Sequence, residues 1–130
     1  MISRRTIFVA SFAFAALTAT ASPAAEQKAY SAAAFDAAQA AGKPILVAVH
    51  ASWCPTCKAQ APILSKIEQE PRYKDLVVFR VDFDAQKDAL KRFDARMQST
   101  LIAYKGATET ARSVGDTNAA TIAALAAKSL

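Results

Sequence analysis

The run Ile45-Leu46-Val47-Ala48-Val49 is apolar at five consecutive positions. Side chains alternate faces along a strand, so a strand with one wet face shows alternating polarity, and this one shows none. It reads as a strand buried on both faces, which demands a layer of structure on each side of its sheet. Before it, Ser31 caps a helix that runs to about Ala41 with Phe35 and Ala38 on one face, and Gly42 and Pro44 end it. Leu76-Val77-Val78-Phe79-Arg80-Val81 repeats the buried-strand pattern. Between the two, Cys54 to about Glu70 has helical spacing through Ala61, Leu64 and Ile67, with a kink expected at Pro62. Asp84 is expected to cap a helix carrying Ala89, Leu90 and Phe93. Thr100 to Tyr104 reads as a third strand, and Lys105-Gly106 turns it into a weaker fourth over Thr108 to Ser113. Asn118 then caps a last helix that turns Ile122 and Leu125 inward. Helices alternating with strands, closed by a hairpin and a helix, give an α/β domain: a three-layer α/β/α sandwich with a central mixed sheet.

A chain of 130 residues holds one such domain and not two. Its first residues read as an address. Arg4 and Arg5 precede about eleven mostly apolar residues from Ile7 to Leu17, and Ala19-Thr20-Ala21 offers small residues at a cleavage site. Residues 1–21 are therefore expected to be a removable signal peptide and the mature protein to be periplasmic. The apolar run is shorter than the ~20 residues that span a bilayer. The arginine pair also suits twin-arginine export, so the export route stays open. Residues 22–29 read as a polar tether and residues 30–130 as the domain. Without Arg4 and Arg5, fourteen Lys/Arg face eleven Asp/Glu, a balance without the basic clustering that nucleic-acid binding needs. A monomer is expected.

Two cysteines and one histidine exclude a disulfide scaffold, and also a four-ligand zinc site within one chain. The cysteines, Cys54 and Cys57, enclose Pro55 and Thr56 where a buried strand feeds a helix. At a helix start Cys54 meets unpaired N–H groups and the positive end of the helix dipole, and Lys58 lies nearby, so its thiolate is favoured. Pro55 suits the first turn, where its missing N–H costs nothing. Cys57, one turn on, is placed to resolve a mixed disulfide formed at Cys54, with one sulfur expected exposed and the other shielded. Two other readings remain. A structural disulfide would close a loop too small to stabilise much. Half of a metal site would need ligands from elsewhere, with His50 as a nearby candidate.

Ala51-Ser52-Trp53-Cys54-Pro55-Thr56-Cys57-Lys58, followed by Ala61-Pro62-Ile63-Leu64, resembles the active-site segment of thioredoxins. Lys105-Gly106 and Gly115 fall where that family has a hairpin turn and a glycine before the last helix. The resemblance spans about residues 30 to 130. It implies that Cys54 attacks, that Cys57 resolves, and that Trp53 forms part of the surface beside them. It also implies protein thiol and disulfide substrates, with no cofactor beyond the cysteine pair.

Three positions depart from the family. Ala48 stands where thioredoxins carry a buried acid, and Arg80 where a lysine would pair with it. Proton transfer must then use water or another group. His50 replaces a frequent aromatic; near a strand end it reads first as a structural residue, and its titration near neutral pH still lets it tune Cys54. Ser99, within Met97-Gln98-Ser99-Thr100, replaces a cis-proline that faces the cysteines. A trans bond is expected there, because a cis bond before a non-proline costs about 2.5–4 kcal/mol. Gln98, Ser99 and Thr100 form the expected substrate loop. Ser99 is expected to alter substrate choice or to open the site, and Met97 to pack. The expected activity is reduction of disulfides in exported proteins, recharged by a membrane electron donor. The rivals are a thiol oxidant of the same fold and a metal-delivery module built on Cys54, Cys57 and His50.

Overall fold

The computed structural model describes residues 24–130 and Ala19. The expected signal peptide, residues 1–21, thus lies outside the described residues apart from Ala19. Five strands, β1 (Glu26–Ala29), β2 (Pro44–His50), β3 (Val77–Asp82), β4 (Thr100–Lys105) and β5 (Thr108–Val114), form one sheet in the order β1-β3-β2-β4-β5. β1 and β2 each pair with β3 in parallel, while β4 pairs antiparallel with β2 and β5. Four α-helices complete the fold among the described residues: α1 (Ala32–Ala40), α2 (Pro55–Glu68), α3 (Lys87–Arg92) and α4 (Ala119–Ala127). The mixed sheet between two helical layers is the expected architecture.

The unbroken apolar run in β2 is explained by two separate cores. Ile45, Val47 and Val49 pack with Phe35, Phe79, Leu90 and Phe93 on the α1/α3 face. Leu46 and Ala48 pack with Leu64, Ile67, Ile122 and Leu125 on the α2/α4 face. Each fully buried aliphatic or aromatic side chain contributes about 1.5–3 kcal/mol, so both faces of β2 help to fix its register. Ser31 caps α1 by accepting the Ala34 N–H, and Asn118 caps α4 by accepting those of Ala120 and Thr121.

Two expectations are corrected. The tether foreseen over residues 22–29 ends before Glu26, because Glu26–Ala29 add to the sheet edge as β1. Three of these four residues are exposed, so an edge strand here carries no apolar alternation to reveal it. Asp84 does not cap α3. The Oδ1 of Asp82 accepts the N–H groups of Asp84 and Ala85, and Gln86 stands at the helix start. Asp84 is left free to bond elsewhere.

Candidate active site

The end of β2 and the start of α2 place the cysteines. Cys54 has extended backbone, φ −89° and ψ 110°, and is itself the N-cap of α2, with Pro55 in the first turn. Its sulfur accepts the N–H of Cys57 at 3.1 Å, the bond that Ser or Asp oxygens make at other helix starts. Cys54 and Cys57 are joined as a disulfide. On reduction, this N–H and the helix dipole favour negative charge on Cys54. Thr56 is half-buried and Pro55 and Lys58 are exposed on the first turn of α2.

The two cysteines are shielded unequally, and Cys54 is the buried one. Cys54 is 1% exposed, whereas Cys57 is half-buried. Ser99 covers both sulfurs. It is 2% exposed, and its hydroxyl lies 3.1 Å from Cys54 Sγ and 3.2 Å from Cys57 Sγ. In the disulfide neither sulfur carries a proton, so the Ser99 hydroxyl donates. The site is covered rather than opened, which corrects one expectation for Ser99.

The peptide bond before Ser99 is trans, as are all those among the described residues. Ser99 has φ +62°, the left-handed region that costs a side-chain-bearing residue about 1–2 kcal/mol. The backbone is held there from three sides. The Ser99 N–H donates to the Val49 carbonyl at 2.8 Å, and its carbonyl accepts from Gly115 N–H at 3.0 Å and from Gln60 Nε2 at 3.2 Å. Gln60 is 3% exposed and also donates to the Asp116 carbonyl at 2.8 Å. Sequence reasoning missed Gln60, since one glutamine on a helix carries no signal of what it will meet. Thr100 Oγ1 donates to the Met97 carbonyl and Gln98 is half-buried, while Met97 is 51% exposed instead of packed.

Trp53 is 54% exposed beside the disulfide. Its Nε1 donates to Asp84 Oδ2 at 2.8 Å and its ring meets Phe83 edge-on. Asp84 thus orients the indole instead of capping a helix.

Behind Cys57 a cleft of about 250 Å³ runs between α2 and the sheet. Ala48, Gln60 and Leu64 line it together with His50, Glu68 and Arg80. Ala48 pairs in register with Arg80, as the sequence implied, and the missing acid leaves space at its short side chain. Glu68, another residue that sequence reasoning missed, accepts from Gln27 Nε2 at 3.3 Å. Burial pushes the Glu68 carboxyl above its usual range, partly opposed by Arg80 and Gln27. His50 is pushed below its ordinary value by burial and then by Arg80, with Asp82 opposing. Among the described residues no three His, Cys, Asp or Glu side chains converge on a metal-binding position. The set Cys54, Cys57 and His50 is not assembled.

The thioredoxin sequence profile matches residues 26–128. The chain is 36% identical over 97 residues to Thioredoxin-2 of Saccharomyces cerevisiae, covering 74% of this chain and 91% of that protein. Among solved structures, Trxlp from Edwardsiella tarda superposes with a TM-score of 0.75 at 45% identity, covering 76% of this chain and 96% of that one. The thioredoxin of Malassezia sympodialis shares the fold at a TM-score of 0.68 and 22% identity, over 82% of this chain and 95% of that one. A disulfide at the N-terminus of α2, on a sheet of this order and with these relatives, leads to one conclusion: the chain belongs to the thioredoxin family and is a thiol–disulfide oxidoreductase that works through its cysteine pair.

Proposed function

We propose that the protein reduces disulfides in exported proteins, in the periplasm, after removal of residues 1–21. The Cys54 thiolate attacks a client disulfide, Cys57 resolves the mixed disulfide, and the oxidised pair is recharged by a membrane electron donor. The carrying observation is the pair of donors aimed at Cys54 Sγ, the Cys57 N–H and the Ser99 hydroxyl, which hold negative charge on the attacking sulfur. Trp53 and Met97 supply exposed apolar surface for a protein client. The protein acts as a monomer.

The same two donors favour a second reading. A stabilised thiolate stabilises the reduced form, and that is how oxidants of this chemistry reach high potentials. The Trp53-Cys54 and Cys57-Lys58 surroundings favour the reductant. Insulin reduction by the mature chain with a dithiol donor tests this, together with fractionation of cells expressing the full chain. Loss of turnover in both Cys54→Ser and Cys57→Ser and recovery of the protein in the periplasm support the proposal. Oxidation of reduced clients without measurable reduction supports the rival.

A further inference from the structure

Both sulfurs of the pair share one hydroxyl. Ser99 Oγ lies 3.1 Å from Cys54 Sγ and 3.2 Å from Cys57 Sγ. Turning its hydrogen about the Cβ–Oγ bond therefore carries the donor from one sulfur to the other without moving a heavy atom. Ser99 is 2% exposed and Cys54 1%, which leaves little water to compete for that hydrogen. The oxygen is kept in place by the backbone bonds of Ser99 to the Val49 carbonyl, the Gly115 N–H and Gln60 Nε2.

The remaining partners of the two sulfurs are unequal. Cys54 Sγ also accepts the Cys57 N–H at 3.1 Å. Besides Ser99, Cys57 Sγ has only the Val49 carbonyl, at 4.0 Å, among the described residues. A carbonyl accepts from the thiol and offers nothing to a thiolate, so it works against ionisation of Cys57. Ala48 brings no carboxylate to this place. His50 from β2, Arg80 from β3 and Glu68 further along α2 line the cleft that Cys57 shares, but none of them bonds its sulfur.

We propose that Ser99 is a catalytic residue with two positions: its hydroxyl donates to Cys54 in the free reduced protein, and to Cys57 once Cys54 is bonded to a client. The inference rests on the exchange reaction proposed above and serves the step for which Ala48 leaves no acid. The Cys54 thiolate attacks one client sulfur, forming the mixed disulfide and releasing the other client sulfur as a thiolate. Cys54 Sγ is then neutral and a weak acceptor, so the hydroxyl turns to Cys57, where a charge-assisted bond is stronger. Cys57 gives its proton to water, and its thiolate attacks Cys54 Sγ. The bond from Cys54 to the client breaks with its electron pair on the client sulfur, and the client thiolates take protons from water. Two cysteine thiols have become one disulfide, and one client disulfide has become two thiols. In recharging, a donor thiolate attacks Cys54, and the same hydroxyl receives the charge as Cys57 leaves.

Stopped-flow mixing of the reduced protein with one equivalent of dithiobis(nitrobenzoate) separates the two steps. Attack by Cys54 releases the first coloured thiolate at a rate that rises with concentration. Resolution by Cys57 releases the second at a rate that does not, and the pH at which this rate levels off reports Cys57 in the mixed disulfide. In Ser99→Ala that inflection should rise by about one unit, the loss expected of one hydrogen bond to a charged group. A less stabilised thiolate is also more nucleophilic, with a Brønsted slope of about 0.4–0.5. The second rate should therefore fall roughly three- to fourfold below the inflection and rise roughly threefold above it, so that the two profiles cross. Ser99→Gly suits positive φ and also lacks the hydroxyl, and it should repeat the result if the alanine variant folds poorly. Slowing by the same factor at every pH marks a disturbed site and overturns the proposal. So does a second inflection that stays put while the first one moves, which leaves the activation of Cys54 standing. A parent protein that never releases the second thiolate overturns the exchange reaction as well.

Discussion

The Ser99 hydroxyl lies 3.1 Å from Cys54 Sγ, closing over the sulfur that begins α2. A hydrogen bond to a charged group contributes about 1.5–3 kcal/mol, and 1.36 kcal/mol corresponds to one pKa unit. In Cys57→Ser protein, titration of thiolate absorbance should place Cys54 below the ordinary thiol value of about 8.5. Adding Ser99→Ala should raise it by about one unit or more. Alanine keeps the same backbone demand, so the change reports the hydroxyl alone. An unmoved titration would mean that Ser99 does not bond the thiolate.

Proline at this position should not restore ordinary thioredoxin behaviour. Its ring fixes φ near −65°, whereas Ser99 sits at +62°, and it removes the N–H bonded to the Val49 carbonyl. Ser99→Pro should lose about 3 kcal/mol or more in denaturant unfolding. Ser99→Gly, free to adopt positive φ, should stay folded. A proline variant of undiminished stability would show that this loop is free to switch conformation.

Gln60 joins the Ser99 loop to the segment before α4 through the carbonyls of Ser99 and Asp116. Gln60→Leu fills similar space but strands the Asp116 carbonyl and leaves the Ser99 carbonyl with the Gly115 N–H alone. It should destabilise the protein by about 1–3 kcal/mol for the orphaned group, less whatever water recovers. Hydrogen exchange at the Ser99 and Gly115 amides should accelerate in the same variant.

His50 prefers its neutral form, since burial and Arg80 hold it below its ordinary 6.5. A histidine with a lowered folded pKa contributes its full stability above 6.5, and loses it as pH falls through the folded value. Glu68, held above its ordinary 4.5, works oppositely: its contribution is full below 4.5 and is lost as pH rises through the folded value. Comparing His50→Asn with the parent isolates the histidine. The parent should lose more stability than the variant between pH 7 and pH 5. Parallel curves would remove His50 as a pH-sensitive element.

Much of this was legible because short-range rules governed it. The double-faced burial of Ile45 to Val49, the caps at Ser31 and Asn118, and Cys54 at a helix start all depend on neighbours in sequence. What escaped depends on chain that arrives from elsewhere. β1 is a strand only because β3 offers it an edge. Asp84 turns to Trp53 because Asp82 takes the turn amides first. The cover over the two sulfurs comes from a residue 45 positions beyond Cys54, Ser99, through a left-handed backbone that Gln60 and Gly115 hold in place.

The most direct test of the proposed function is the reduction potential of the Cys54–Cys57 pair, read from Trp53 fluorescence in defined dithiol buffers. Thioredoxin lies near −270 mV and a strong periplasmic oxidant near −120 mV. The reductant proposed here predicts roughly −200 mV or lower. Ser99→Ala should move the value about 30 mV more negative, because one lost tenfold of thiolate stabilisation equals that step for a two-electron couple. A potential near that of the oxidants would contradict the reducing role and assign the fold to disulfide formation.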